Sequence, residues 1–387
     1  MAKFAFCNIP LHAHINPTLP IVQELVARGD QVIYYLTERY RGAIEATGAT
    51  FRGYPSKIEQ SAREAPDTLT TLTVEECLLT MPQMLESVRM EQPDCIVYDP
   101  MCLSGRFIAQ VLHIPAVISR PTFVAHEQGR RTFQARGPEP AAMQRFRAAT
   151  EELCSRYSLP PFDVMDIFQH KEALNVVYIP RSFQPQSESL GDEYLFVGPS
   201  IGARCEVSDF PFARLGTRPV VYITLGTVYN NSPDFFKTCF AALADQPWQV
   251  VVATGRPVDE LHLGPIPENF LVQHYVPQSD VLRYASVFVG HGGMTTFMES
   301  ISQGVPMVVI PQAPSQVASA RRVAELKLGI VLEKTAVTAE SLREAVTTLM
   351  NDPLFRSRVQ RMQEDARLAG GFQKAAEALQ DFVRCRV

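Results

Sequence analysis

The stretch Tyr275–Gln316, YVPQSDVLRYASVFVGHGGMTTFMESISQGVPMVVIPQAPSQ, decides how this chain is read. Residues 286–290 (SVFVG) form a short apolar run suited to a buried parallel strand. His291-Gly292-Gly293 follows as a turn in which backbone can approach a ligand closely. Thr295 and Thr296 open a helix that runs to about Gln303, and Gly304-Val305-Pro306 ends it. Residues 307–310 are the next strand. A helix opened this way points its first N–H groups out of the carboxyl edge of a sheet, where an anion such as a diphosphate binds. His291 and the two threonine hydroxyls add donors at the same place.

Working outward, the strand–turn–helix alternation recurs along the chain. Residues 3–9 read as a first strand, 10–17 as a turn, and 18–28 as a helix with Leu19, Val22, Leu25 and Val26 on one face and Gly29 at its end. Further strands are expected at 31–36, from 48, at 94–98, 116–118 and 173–179. Irregular helical insertions are expected near 56–90 and 123–166. A second alternating unit begins at Val220 (VVYITLGT), with strands at 250–253, 269–274, 287–290 and 307–310. The pattern predicts an α/β protein of two Rossmann-like, doubly wound parallel-sheet domains. The expected division is 1–205, a linker at 206–218 rich in Gly, Pro and charge, 219–371, and a terminal helix at 372–387.

Length and composition agree with that division. A chain of 387 residues suits two cores better than one. Its net charge of −5 argues against a nucleic-acid partner. The eight cysteines include no CxxC pair or zinc-finger spacing and read as buried apolar residues in a reducing compartment, the cytoplasm. The amino terminus runs straight into a strand without a signal-peptide layout, and no apolar run is long enough for a membrane helix.

The first loop, NIPLHAHINP, carries His12 and His14 and sits at the carboxyl end of the first strand, where open α/β sheets bind ligands. It contains no glycine, so it lacks the dinucleotide fingerprint and disfavours a nicotinamide oxidoreductase. An HxH pair also suits a metal, but the remaining histidines form no ligand pattern. Asp99 ends the strand DCIVYD, from which a carboxylate can reach back and fix the tautomer of a first-loop histidine. Asp99 also suits the capping of the helix that follows.

Taken together, Pro277-Gln278, HGG, Glu299, Pro311 and Gln316 resemble the nucleotide-sugar signature of family 1 glycosyltransferases of the GT-B fold. The likeness is greatest to the bacterial macrolide and flavonoid enzymes. ALNVVYIPRSFQPQ (Ala173–Gln186) and LFVGPSIG (Leu195–Gly202) extend it along the chain. The resemblance implies two domains facing a cleft, with the terminal helix crossing back to the first. It implies His14, in an HxxP element, as general base and Asp99 as its partner. Thr227, in TLGT, His291, Thr296 and the helix start behind Gly293 fall on the diphosphate, with Met294 and Thr295 also among the donor-binding residues. Tyr275 and Val276 fall at the nucleotide base, Gln278 and Glu299 at the ribose, and Ser315 and Gln316 at the sugar. Three positions depart from the family pattern: Tyr275 replaces Trp, Thr295 replaces Asn, and Ser315 replaces an acidic residue. The implied activity is inverting, metal-independent transfer of a hexose from a UDP- or TDP-sugar, foremost UDP-glucose, with no cofactor. The implied acceptor is a polyketide, macrolide or flavonoid hydroxyl, with His12, Met81, Met84 and Phe123 as lining candidates. A monomer or homodimer is expected. A nucleotide-sugar epimerase and a non-catalytic sugar-binding protein are the alternatives on the same fold.

Overall fold

The computed structural model describes residues 1–61, 69–125, 141–202, 209–226, 232–257 and 262–385. The chain divides into two compact units, Met1–Gly202 with Ala369–Val387, and Ala203–Leu368. Each is built on one parallel sheet.

The first sheet holds β1 (Lys3–Cys7), β2 (Gln31–Leu36), β3 (Thr50–Gly53), β4 (Cys95–Tyr98), β5 (Ala116–Arg120), β6 (Asn175–Val177) and β7 (Tyr194–Phe196). Their order is β3-β2-β1-β4-β5-β6-β7, every neighbouring pair being parallel. The second holds β8 (Val220–Thr224), β9 (Gln249–Ala253), β10 (Phe270–Gln273), β11 (Ala285–Gly290), β12 (Met307–Val309) and β13 (Gly329–Val331), in the order β10-β9-β8-β11-β12-β13. Central strands such as VVYIT (β8) and QVVVA (β9) are buried along their whole length, because helices cover both faces of a parallel sheet. In each sheet the chain winds outward from its first strand and then jumps back across it. The order therefore reverses between β1 and β4, and again between β8 and β11. Loops leaving those strands diverge to opposite faces and open a crevice at the carboxyl edge.

Three features differ from the sequence reading. The insertion expected to be irregular near 56–90 contains a regular 23-residue helix, Leu69–Glu91. Its buried positions include Thr71, Thr73, Glu76 and Thr80, and these polar residues break the apolar period a helix normally shows. Their side chains bond internally: Thr71 Oγ1 donates to Ala142 O at 2.9 Å and Thr80 Oγ1 to Glu76 O at 2.9 Å. Second, of the stretch read as a linker, Phe212–Leu215 forms a 3-10 turn whose Leu215 is buried and whose Phe212 ring packs on Tyr284 at 5.5 Å. That stretch belongs to the second unit. Third, β7 and β13 are short strands not foreseen.

The last helix, Gly371–Arg384, lies in the first unit. Ala375, Ala376, Leu379 and Val383 enter the first core. Gly371 N–H donates to Val197 O at 2.7 Å, and Gln380 Nε2 to Asp30 Oδ2 at 2.6 Å. Among the described residues no helix is long and apolar enough to cross a membrane.

Candidate active site

At the first sheet's order reversal, the chain leaves β1 through Asn8 and makes one helical turn, His12–Ile15. The neighbouring strand β4 delivers Asp99. The Asp99 N–H donates to Cys7 O at 3.0 Å, which prolongs the β1–β4 ladder and fixes the carboxylate beside the turn. Asp99 Oδ2 lies 2.6 Å from His14 Nδ1, and Oδ1 accepts the Met101 N–H at 2.8 Å. The Asp99 side chain is fully buried, whereas His14 keeps 17% of its side chain exposed. A carboxylate only accepts, so the hydrogen-bond network assigns the proton to Nδ1 and leaves the Nε2 lone pair for a substrate. The helix after β4 is capped at Cys102, so Asp99 instead closes a short turn to Met101 while it holds His14. His12 is exposed and sets its ring edge against Tyr40 at 5.1 Å; it does not share the carboxylate.

At the second sheet's reversal, β8 leads into Gly226 and β11 into His291. Gly226 has φ +74°, and a Cβ there would lie 2.6 Å from His291 Cε1. A Cβ on Gly293 would lie 2.7 Å from His291 Nε2. The imidazole thus fills a slot that only glycines leave open. Enclosure removes water from the ring, and desolvation lowers its pKa from 6.5 to about 4. His291 is therefore neutral at pH 7. Gly293 caps the helix Met294–Ser302, whose first-turn N–H groups and dipole face the same edge. Ser319 Oγ donates to Gly292 O at 3.0 Å and ties the glycine turn to the helix Pro314–Glu325.

Beside this slot lies a polar cluster. Gln278 Oε1 accepts from Tyr222 Oη at 3.2 Å, and its Nε2 donates to Glu299 Oε2. Thr296 Oγ1 is 3.5 Å from the same Nε2. Glu299 is 2% exposed and Thr296 8%. Val276 is buried, Met294 and Thr295 are half-buried, and Tyr275 is exposed. Gln316 is buried and its Oε1 accepts the Gln312 N–H at 2.7 Å. Thr227 lies outside the described residues, as does the side chain of Ser315, which stands in the first turn of Pro314–Glu325.

Two acceptor-lining candidates are corrected. Met81 and Met84 are fully buried in the first core and present no surface to a ligand. Phe123 is half-buried and stacks on Phe183 at 5.6 Å. Among the described residues, no three His, Cys, Asp or Glu side chains are grouped to hold a metal ion. Tyr222 and Ser319 escaped the sequence reading. A phenol in the middle of the buried VVYIT strand was the available signal for Tyr222.

Two doubly wound parallel sheets constitute the architecture of GT-B glycosyltransferases. A family model for the C-terminal domain of erythromycin biosynthesis protein CIII-like proteins matches residues 238–380. The NDP-glycosyltransferase YjiC of Bacillus subtilis (strain 168) is 36% identical over 97% of this chain and 96% of its own length. The demethyllactenocin mycarosyltransferase of Streptomyces fradiae is 33% identical over 98% of this chain and 86% of its own. The crystal structure of the glycotransferase of kitacinnamycin superposes with a TM-score of 0.87 at 29% identity, covering 98% of this chain and 99% of that one. The chain belongs to the GT-B glycosyltransferase family that these enzymes represent, and it is a glycosyltransferase.

Proposed function

We propose that this enzyme transfers a hexose, with inversion and without a metal, from a nucleoside-diphosphate sugar to a hydroxyl of a small lipophilic natural product. The observation that carries the reading is the 2.6 Å contact between His14 Nδ1 and a fully buried Asp99 whose other oxygen is already engaged. His14 Nε2 takes the proton of the acceptor hydroxyl as its oxygen attacks the anomeric carbon. Asp99 stabilises the imidazolium that results. The bond between the anomeric carbon and the diphosphate oxygen breaks, and the electron pair leaves with the nucleoside diphosphate. Neutral His291 donates a hydrogen bond to that leaving group, aided by the helix start behind Gly293 and by the hydroxyls of Thr227, Thr295 and Thr296. Gln278 and Glu299 take the ribose, and Tyr275 with Val276 takes the base.

The names of the relatives, an NDP-glycosyltransferase and a mycarosyltransferase, support a natural-product acceptor and a donor range wider than one sugar. UDP-glucose is the first donor to test, with TDP-sugars beside it. Ser315 is shorter and uncharged where the family pattern has a carboxylate, so it lacks the charge-assisted bonds that grip sugar hydroxyls. Ser315→Asp is expected to sharpen selection for glucose, and an unchanged donor ranking would refute that assignment.

The deciding experiment is release of nucleoside diphosphate from a panel of UDP- and TDP-sugars, with and without mixed polyphenol and macrolide acceptors, in the presence and absence of EDTA. Acceptor-dependent, EDTA-insensitive release that disappears in His14→Ala supports the reading. Release that needs no acceptor, or that survives His14→Ala, overturns it.

A further inference from the structure

Beneath the turn that carries His14 lies a row of buried polar groups that the proposed chemistry does not use. Asn8, Thr18 and Tyr34 are all at most 2% exposed. Thr18 Oγ1 donates to Ile15 O at 2.8 Å. A hydroxyl has one proton, so toward Tyr34 Oη, 2.6 Å away, Thr18 can only accept. Tyr34 therefore donates to Thr18, and its oxygen accepts from Asn8 Nδ2 at 2.6 Å. The directions are forced link by link: Asn8 amide to Tyr34 hydroxyl, to Thr18 hydroxyl, to the carbonyl of Ile15; the same Asn8 Nδ2 also reaches Thr18 Oγ1 directly, but only at 3.5 Å.

The endpoints of this chain matter. Asn8 directly follows β1, and its own carbonyl accepts from Tyr54 Oη, so the start of the chain is pinned. Ile15 is the residue after His14, and Asn8 Nδ2 also approaches His14 O at 3.5 Å. Tyr34 stands on β2, a strand that plays no direct part in the site. Burial raises the Tyr34 pKa and Asp99 adds to the rise, so its hydroxyl keeps its proton and its place in the chain. Hydrogen bonds linked in one direction polarise and strengthen one another in a dry interior.

We propose that Tyr34 is a positioning residue for His14: its hydroxyl is the middle link of a one-way chain that fixes the turn on which the imidazole is mounted. The assignment rests on His14 being the base. Tyr34 touches neither reactant and acts only through the geometry of His14. Misplacing a catalytic group by about 1 Å lowers turnover by about 100-fold, which sets the upper end of the expected effect.

The test compares Tyr34→Phe, Thr18→Val, Thr18→Ser and Tyr34→Phe/Thr18→Val with the parent enzyme. Turnover and KM for the donor come from acceptor-dependent diphosphate release, and folding from melting curves. A downfield proton NMR resonance of the His14 Nδ1–H, assigned by its loss in His14→Ala, reports the bond to Asp99. Tyr34→Phe and Thr18→Val are each expected to lower kcat about 10- to 100-fold with donor KM within about twofold, and to weaken or erase the downfield resonance. The double variant is expected to be no worse than the poorer single, because a chain cut once is already cut. Thr18→Ser keeps the hydroxyl and should restore both turnover and the resonance. Should Tyr34→Phe fail to fold, the Thr18→Val and Thr18→Ser pair carries the same comparison. A folded Tyr34→Phe or Thr18→Val with wild-type kcat and an intact resonance overturns the assignment while leaving His14 as base. Full turnover in His14→Ala overturns the base reading, and this assignment with it.

Discussion

Two histidines stand at the order reversals of the two sheets, His14 after the first strand β1 and His291 after β11, the neighbour of the first strand β8, and are treated in opposite ways. His14 is placed against a buried carboxylate, which fixes its tautomer and stands ready for the positive charge a base acquires. His291 is flanked by Gly226 and Gly293 and largely desolvated, which lowers its pKa to about 4 and keeps it neutral. In the proposed reaction the first arrangement accepts a proton, and the second donates a hydrogen bond to an anion without itself changing charge. Topology supplies the location in both cases, and the immediate neighbour decides the chemistry.

Breaking the first arrangement should have the largest effect. His14→Ala and Asp99→Asn are expected to lower kcat by about 10² to 10⁴, with donor affinity by calorimetry nearly unchanged. Equal losses in kcat and in donor affinity would erase the distinction between the two histidines. Filling the slot of the second comes next. Gly293→Ala and Gly226→Ala place a methyl group less than 3 Å from the imidazole, and at Gly226 the positive φ adds backbone strain. Each is expected to raise donor KM by about tenfold or more and to lower stability by about 1–3 kcal/mol. Unaltered donor KM would show that His291 does not meet the donor.

A smaller effect is expected one layer out. Tyr222→Phe leaves the Gln278 carbonyl without its donor, and nucleoside-diphosphate affinity should fall by about fivefold, equivalent to about 1 kcal/mol. A 2′-deoxynucleotide should lose less, and an equal loss would place Gln278 away from the ribose. Least visible at neutral pH is the titration of His291. Its folded pKa is about 4 against an ordinary value of 6.5, so its stabilising contribution is complete above pH 6.5 and is lost as pH falls toward 4. Between pH 7 and 5.5 the parent should lose about 1 kcal/mol more stability than His291→Asn, measured by urea unfolding. Parallel pH dependence in the two would mean that the ring is not dry.

The nucleotide-sugar box was legible because everything it needs is local. β11 (Ala285–Gly290), the glycine turn and the helix Met294–Ser302 follow one another in sequence, and the glycines and threonines mark each boundary. The neutrality of His291 was not legible, since it depends on Gly226 arriving from the end of a different strand. The burial of Met81 and Met84 was hidden for another reason. Their helix buries threonines and a glutamate beside them, and the mixed pattern looked irregular. Asn8, Thr18 and Tyr34 are ordinary residues in sequence; only β-sheet register brings a β2 hydroxyl beneath the β1 turn.

The helix Gly371–Arg384 gives the first unit a peculiar biography. Its Ala375, Ala376, Leu379 and Val383 complete a core whose other residues were synthesised before the second unit began. On the ribosome the second unit has all of its chain while the first still waits for its closing piece. The half that carries His14 is therefore finished after the half that carries His291, and a nascent chain halted before Gly371 owns a complete second unit and an open first unit. The first unit is thus begun first and completed last.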